Sequence, residues 1–266
     1  MTTNDDHALA RDLAVQAGQR LVELRAHGGD PDVLRKAGDR LSHEFLTREL
    51  ADRRPGDVVL SEEGADNPAR LDARRVWIVD PLDGTREFGE PGRTDWAVHV
   101  ALWEKTEWEP SGASGPGDLT AGAVALPAQG TTGRILSTLD PPSPHEEGGA
   151  GGRIRIVVSR TRAPQFVRNI SDLIGAELVP LGSAGAKAAA VIGGEVDAYV
   201  HGGGFYEWDT AAPVAVARAA GFHASRIDSS ALAYNQADLL MPDILVCRSA
   251  LAGTLLQAIR EVTHAP

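Results

Sequence analysis

The sequence predicts a mixed α/β (α+β) protein of layered helices and sheets in two lobes. Three observations predict it. The recognisable elements run as helices first, then strands, then alternating helix and strand, an order that stacks helices on sheets. A Pro/Gly-rich stretch at 140–152 separates residues 1–139 from 153–266. The 266 residues are 42% hydrophobic, enough to bury a sizeable core.

Leu9, Leu13, Ala17, Leu21 and Leu24 recur at helical spacing, so the first helix spans roughly 6–26. His27-Gly28-Gly29-Asp30-Pro31 stops it. A second helix fits Arg40 to Ala51, with Leu41, Phe45, Leu46 and Leu50 on one side. Val58-Val59-Leu60 is a short strand running into Ser61-Glu62-Glu63-Gly64. Val76 to Val79 is the next, and Trp96 to Leu102 another, with Trp96, Val98, Val100 and Leu102 alternating to one face. Ala121 to Leu126 and Arg134 to Leu136 read as further strands. Ser111 to Asp118 and Asp140 to Gly152 have the composition of loops. Beyond them come a strand at Ile154 to Val158, a helix from Pro164, a strand near Leu178 and a small-residue helix from Ser183 to about Ile192. Ala198-Tyr199-Val200 is a strand before a glycine loop, and Asp209 opens an Ala-rich helix closed by Gly221. Ile244 to Val246 and Leu251 to Val262 give a last strand and helix.

Composition excludes several classes. No apolar run approaches bilayer length. The polar, acidic start gives no secretory signal. One cysteine, Cys247, cannot make an internal disulfide or a cysteine-based zinc cluster, which points to the cytoplasm. A net charge of −11 without a basic stripe argues against nucleic-acid polymers. An anionic substrate would need local cations, and bound metal would supply them.

The most informative segment is Trp77-Ile78-Val79-Asp80-Pro81-Leu82-Asp83-Gly84-Thr85-Arg86-Glu87-Phe88. A hydrophobic strand ends in two aspartates three positions apart, and Gly-Thr follows as a turn into a helix. Carboxylates held that close cannot both stay ionised without a cation. Glu62 and Glu63 also follow a strand, Asp209 stands at a helix start, and Asp39 sits beside the start of the second helix. Taken singly, each has a plainer reading. Glu-Glu is a solvated turn, Asp209 an N-cap, and Asp80 a turn residue before Pro81. Gly84 and Thr85 are either an ordinary turn or a pair of N–H groups that seat an anion, and both can hold. The spacing of the aspartates departs from the Asp-x-Asp-x-Thr of phosphatases that form an aspartyl-phosphate. It also fails the calcium-loop pattern, and Cys247-Arg248 lacks a phosphate-loop context.

Asp80-Pro81-Leu82-Asp83-Gly84-Thr85 with Phe88, preceded by Glu62-Glu63 and followed by Trp208-Asp209-Thr210-Ala211-Ala212, resembles the inositol monophosphatase superfamily of metal-dependent, lithium-sensitive phosphatases. The motifs match in order and separation across essentially the whole chain, 1–266, as one phosphatase domain. Asp83 to Phe88, Val158-Ser159-Arg160 and Leu181-Gly182-Ser183 look most like the CysQ-type branch. That branch removes the 3′-phosphate of 3′-phosphoadenosine 5′-phosphate. The resemblance implies an αβαβα sandwich of the inositol monophosphatase/fructose-1,6-bisphosphatase type. It implies a 3′(2′),5′-bisphosphate nucleotidase that releases AMP and phosphate, with a place in sulfate assimilation and nucleotide recycling.

The same resemblance assigns roles. Glu62, Asp80 and the Leu82 carbonyl would hold one Mg²⁺. Asp80, Asp83 and Asp209 would hold a second, and Glu63 would support the site or bind a weaker third ion. An oxygen-only set suits Mg²⁺ better than Zn²⁺. Asp39 and Thr85 would orient and deprotonate the attacking water. Glu62, Asp83, Gly84, Thr85, Ser159, Arg160, Ser183, Lys187, His201 and Asp209 would contact substrate. For Arg160 and Lys187 a solvated charge is the competing reading. His201 stands where inositol phosphatases carry an acidic residue, which disfavours inositol phosphate. Inositol-1-monophosphatase or fructose-1,6-bisphosphatase activity, alone or in addition, stays open. So does a non-catalytic sensor of nucleotide or inositol phosphates. The partner is a small phosphate monoester, with no membrane or nucleic-acid polymer, and the protein is a monomer or homodimer.

Overall fold

The computed structural model describes residues 3–106, 117–143, 152–161 and 163–263. Most of the 140–152 stretch and of the Ser111 to Asp118 loop lies outside them. Helices α1 (Asn4–Ala26) and α2 (Pro31–Arg53) come first. Strands β1 (Val58–Ser61), β2 (Arg75–Asp83), β3 (Ala97–Glu104), β4 (Asp118–Leu126) and β5 (Arg134–Ser137) form one sheet in that order. β1 runs parallel to β2, and the other pairs are antiparallel. The short helix α3 (Thr85–Gly89) follows β2.

A second sheet takes the order β10-β12-β8-β6-β7. It contains β6 (Arg155–Ser159), β7 (Glu177–Leu181), β8 (Ala198–His201), β10 (His223–Ser225) and β12 (Ile244–Cys247). A two-stranded ribbon pairs β9 (Phe205–Tyr206) with β11 (Leu240–Met241). Helices α4 (Gln165–Ile174), α5 (Ala184–Ile192), α6 (Glu207–Ala219) and α7 (Ala252–Thr263) complete the chain.

Three apolar clusters bind five layers. Leu13, Leu21 and Phe45 of α1 and α2 pack on Trp77, Val98 and Val100 of the first sheet. Val76, Ile78 and Ala101 of that sheet's other face meet Ala189 and Val191 of α5, Ala212 and Val216 of α6, and Val157 of the second sheet. Ile156, Val200 and Leu245 then meet Val167 and Ile170 of α4 and Leu255 and Ile259 of α7. The result is helix, sheet, helix, sheet, helix, the expected sandwich. α5 is nearly all small residues because it lies between two sheets and every position in it is buried.

Several expected boundaries move. The stop at Asp30-Pro31 is also a start, because the Asp30 carboxylate accepts from Asp32 N and Val33 N and Pro31 occupies a position with no N–H to lose. α2 is therefore longer than Arg40 to Ala51, and Asp39 lies inside it rather than beside its start. α6 begins at Glu207, so Asp209 is not its N-cap. Its Oδ2 reaches back to accept from Tyr206 N at 2.6 Å. The alternation in β3 is real but separates two buried faces, not buried from exposed. Trp96, Val98, Val100 and Leu102 face α1 and α2, while the opposite face is also covered. The strands β9, β10 and β11, two or three residues each, carry no periodic pattern and were not anticipated.

Candidate metal and phosphate site

The site begins with an irregularity in β2. Asp80 pairs with His99 and Asp83 with Ala97, so three steps on β2 face two on β3. On a regular strand, residues three apart point to opposite faces. The extra residue is a β-bulge, and it turns both carboxylates towards α5 and α6. Pro81 falls inside the bulge, where it has no N–H to withhold from the ladder. Asp80 Oδ1 accepts from Leu82 N at 3.0 Å, which fixes the turn.

Asp209 arrives on the first turn of α6. One carboxylate oxygen from each of Asp80, Asp83 and Asp209 falls within 4.8 Å of the others. Glu62 joins them through the parallel pairing of β1 and β2, which continues one step to Glu62 N and Val79 O at 3.4 Å. Its carboxyl hydrogen-bonds Asp80. Glu63 lies close enough to Asp39 and Glu62 to repel both.

The charges are unequal. Burial, then Glu62, Asp83 and Asp209, push Asp80 well above the ordinary carboxylate range. Desolvation and the charge of Asp209 raise Glu62 to about 7, although part of the residue reaches solvent at the cleft edge. Burial and Asp83 raise Asp209 to about 6. Asp83 goes the other way. Burial would raise it, but His99, Lys187 and the Ser183 hydroxyl outweigh burial and hold it at about 2. Its oxygens accept from Ser183 Oγ at 2.5 Å, Ala184 N at 3.1 Å and Gly185 N at 2.6 Å, the first turn of α5. Crowded carboxylates of this kind, with oxygen donors only, fit a hard divalent cation.

Thr85 Oγ1 lies 3.0 Å from Leu82 O and 3.3 Å from Asp39 Oδ1, so its one proton faces two acceptors. Burial and Glu63 raise Asp39 to about 6. Gly84, at φ +84°, makes the turn, and a Cβ there would fall 3.0 Å from Ser183 Cβ. α3 is a single turn, so any anion seat at Gly84 and Thr85 rests on individual N–H groups rather than on a macrodipole.

The expected substrate contacts separate into two groups. Ser159, Ser183, Gly84 and Thr85 line a cavity of about 260 Å³. Arg160 also lines it, but Nη2 is paired with Glu87 Oε1 at 2.7 Å and Glu90 Oε1 at 3.0 Å. Lys187 is buried and donates to Ser183 O at 2.7 Å and Gly182 O at 3.1 Å. Those bonds hold Ser183 at φ +42°, a conformation costly for a residue with a Cβ. His201 does not line this cavity. It packs 4.9 Å from the Phe205 ring, and burial and Lys187 push it down to about 4.

Three residues of the site were missed. His99 is fully buried on β3, with Nδ1 3.1 Å from Trp208 O. Its Nε2 lies 3.2 Å from Asp83 Oδ2, an ion-pair contact rather than an aligned hydrogen bond. The available signal was a lone histidine between Ala97 and Ala101 on a strand otherwise apolar up to Trp103. Gly185 makes room for it, since a Cβ there would fall 2.1 Å from His99 Nε2. Gly38 plays the same part for α2, where a Cβ would meet Phe88 at 2.8 Å and Leu82 at 2.9 Å. Glu207 is buried and accepts from Asn235 N and Gln236 N at 2.6 and 2.7 Å, a structural role. Cys247 lies inside the second sheet, its thiol pushed up to about 12 by burial.

Comparison with known proteins supplies an independent line. The sequence pattern of the inositol monophosphatase family matches residues 8–264. The 3′-phosphoadenosine 5′-phosphate phosphatase of Mycobacterium leprae is 51% identical over 97% of this chain and 94% of its own. The crystal structure of CysQ from Bacteroides thetaiotaomicron superposes with a TM-score of 0.72 at 27% identity, covering 92% of this chain and 97% of that one. Inositol monophosphatase II of Staphylococcus aureus superposes with a TM-score of 0.78 and 98% coverage of both chains; at 19% identity it speaks to the fold alone.

Proposed function

The chain belongs to the inositol monophosphatase family of phosphatases, and we propose that it hydrolyses 3′-phosphoadenosine 5′-phosphate to AMP and phosphate with Mg²⁺. The observation that carries the metal site is the meeting of Asp80, Asp83 and Asp209 oxygens within 4.8 Å. The substrate rests on the similarity to the mycobacterial phosphatase named for it. In this reading the protein serves sulfate assimilation. It works as one domain, with residues 1–139 supplying most of the ligands and 153–266 supplying Asp209.

Glu62, Asp80 and Leu82 O would hold one cation, and Asp80, Asp83 and Asp209 would hold a second, with Glu63 beside them. When bound, the ions supply charge neutralisation for the phosphoryl oxygens and for the attacking and leaving oxygens. The chain's own residues do the rest. The Thr85 hydroxyl, within reach of both Leu82 O and Asp39 Oδ1, turns to Asp39. A water held by Thr85 attacks phosphorus and passes its proton through that hydroxyl to the Asp39 carboxylate. With its carboxyl at about 6, Asp39 is ionised at neutral pH yet basic enough to accept. The phosphorus–oxygen ester bond breaks as the new one forms, and the ribose 3′-oxygen departs with the bonding pair and takes a proton from solvent. Gly84 N and Thr85 N face the transferring phosphate, and Ser159 and Ser183 line the space beside it.

The test is phosphate release with Mg²⁺ from adenosine 3′,5′-bisphosphate, inositol 1-phosphate and fructose 1,6-bisphosphate, ranked by kcat/KM. The nucleotide should rank first, and chelation should abolish turnover. Lithium should inhibit. Nucleotide binding without turnover would replace this reading with a sensor, and inositol phosphate ranking first would replace the substrate.

A further inference from the structure

The cavity beside Thr85 has three basic residues in its lining: Arg86, Arg160 and Lys187. Two of them are committed. Arg160 is held by Glu87 and Glu90. Lys187 is buried, with its ammonium bonded to the carbonyls of Gly182 and Ser183. Arg86 is exposed on the first turn of α3, next to Thr85, and has no hydrogen-bond or ion-pair partner among the described residues. Arg86 is thus the one basic residue of this lining, among the described residues, whose side chain is not already engaged.

We propose that Arg86 is the specificity-determining residue that binds the phosphate of the substrate that is not cleaved. The inference rests on the bisphosphate reading above and adds the group that recognises the second anion. The need for such a group follows from charge. The protein carries a net charge of −11, and the cavity is walled by Glu87. The crowded carboxylates can recruit cations for the phosphate being cleaved, but a second phosphate in the cavity needs a positive side chain of its own. A guanidinium offers a planar pair of N–H donors that matches two phosphate oxygens. Arg86 can supply them without breaking a contact, whereas Arg160 would have to leave two carboxylates. Ser159 and Thr161 line the same space and add hydroxyl donors.

The experiment uses the full chain with Mg²⁺ and two substrates, adenosine 3′,5′-bisphosphate and adenosine 3′-monophosphate, which lacks the second phosphate. Steady-state kinetics are compared for the wild type, Arg86→Gln and Arg86→Lys. Loss of a charge-assisted bidentate contact should raise KM for the bisphosphate about ten- to a hundredfold in Arg86→Gln. The constants for the monophosphate should change by less than about twofold, since that substrate makes no such contact. Arg86→Lys should fall between. An equal loss on both substrates would mean that Arg86 merely positions Thr85, and no loss on either would leave it a solvated charge; each overturns the proposal. Wild-type enzyme that turns over neither nucleotide would overturn the substrate reading and this inference with it.

Discussion

Replacing Asp83 and Asp209 with asparagine, one at a time, separates two jobs that the proposed metal site demands of its carboxylates. In the metal-free protein the two substitutions should move stability in opposite directions. Asp83 is buried and held at about 2 by His99, Lys187 and the first turn of α5. Against an unfolded value near 3.9, two units correspond to about 2.5 kcal/mol of stabilisation. The carboxyl is depressed on folding, so that contribution is complete above about pH 4 and is lost as pH falls towards about 2. Asp209 has the reverse sign. Burial and Asp83 raise it to about 6, so its ionisation opposes folding. The cost is absent below about pH 4, about half developed at pH 5, and near 3 kcal/mol at pH 8.

The assay is urea unfolding with a chelator present. At pH 8, Asp83→Asn should lower stability by about 2–3 kcal/mol, since an amide must present its NH2 or a single oxygen to donors that now share two. Asp209→Asn should raise stability by up to about 3 kcal/mol at pH 8, because the amide oxygen still accepts from Tyr206 N while the repelling charge is gone. At pH 5 the gain should shrink by about half while the Asp83→Asn loss persists. With Mg²⁺ both variants should lose turnover. Equal destabilisation by both at pH 8, or a gain for Asp209→Asn that does not depend on pH, would refute the reasoning.

Three further outcomes follow. Mg²⁺ affinity measured by calorimetry should weaken on going from pH 8 to pH 5, since Glu62 at about 7 and Asp209 at about 6 take up protons that compete with the ion. The loss should be about tenfold or more, and an affinity flat across that range would contradict the ligand set. Thr85→Val should reduce kcat by about a hundredfold or more with little change in KM, and Asp39→Asn combined with it should cost little beyond either alone; independent losses in rapid-quench measurements would dissolve the proposed relay. Gly38→Ala places a methyl 2.8 Å from Phe88 and 2.9 Å from Leu82. Overpacking of about 1–3 kcal/mol should outweigh the gain in helix propensity, so thermal melting and kcat should both fall, and a more stable variant would show that α2 can shift without harm.

The clustering of Asp80, Asp83 and Asp209 was legible because much of its chemistry is local. Strand ends, a proline and paired carboxylates at Asp80 and Asp83 are visible in a dozen residues, and the long-range partners Glu62 and Asp209 follow from the same motif set. What was hidden depends on tertiary contact. Nothing near His99 in sequence says that its ring will sit between Asp83 and Trp208 O. Arg160 and Lys187 look like free cations until Glu87, Glu90 and the Gly182 and Ser183 carbonyls are placed beside them. The start of α2 was misread because Asp30-Pro31 serves equally as the end of one helix and the cap of the next. Arg86, inside the most informative segment, drew no attention because its significance is the absence of partners among the described residues, and partners cannot be counted from sequence.

The unequal charges have a consequence for how the layers are joined. Asp83 caps α5 from the first sheet, and Asp209 and Asp80 face each other between that sheet and α6. In the metal-free protein the stabilisation from Asp83, about 2.5 kcal/mol, nearly cancels the cost carried by Asp209, about 3 kcal/mol. Asp80 and Glu62 are raised as well and add to that cost, so the carboxylates of the seam oppose folding at neutral pH until cations arrive. An ion that relieves Asp80 and Asp209 leaves the hydrogen bonds of Asp83 to α5 opposed by nothing, so binding energy becomes adhesion between the first sheet and both inner helices. That stabilisation grows with the logarithm of free metal above its dissociation constant. The carboxylates proposed as ligands would thus make the ions a structural element of the seam between the first sheet and the inner helices.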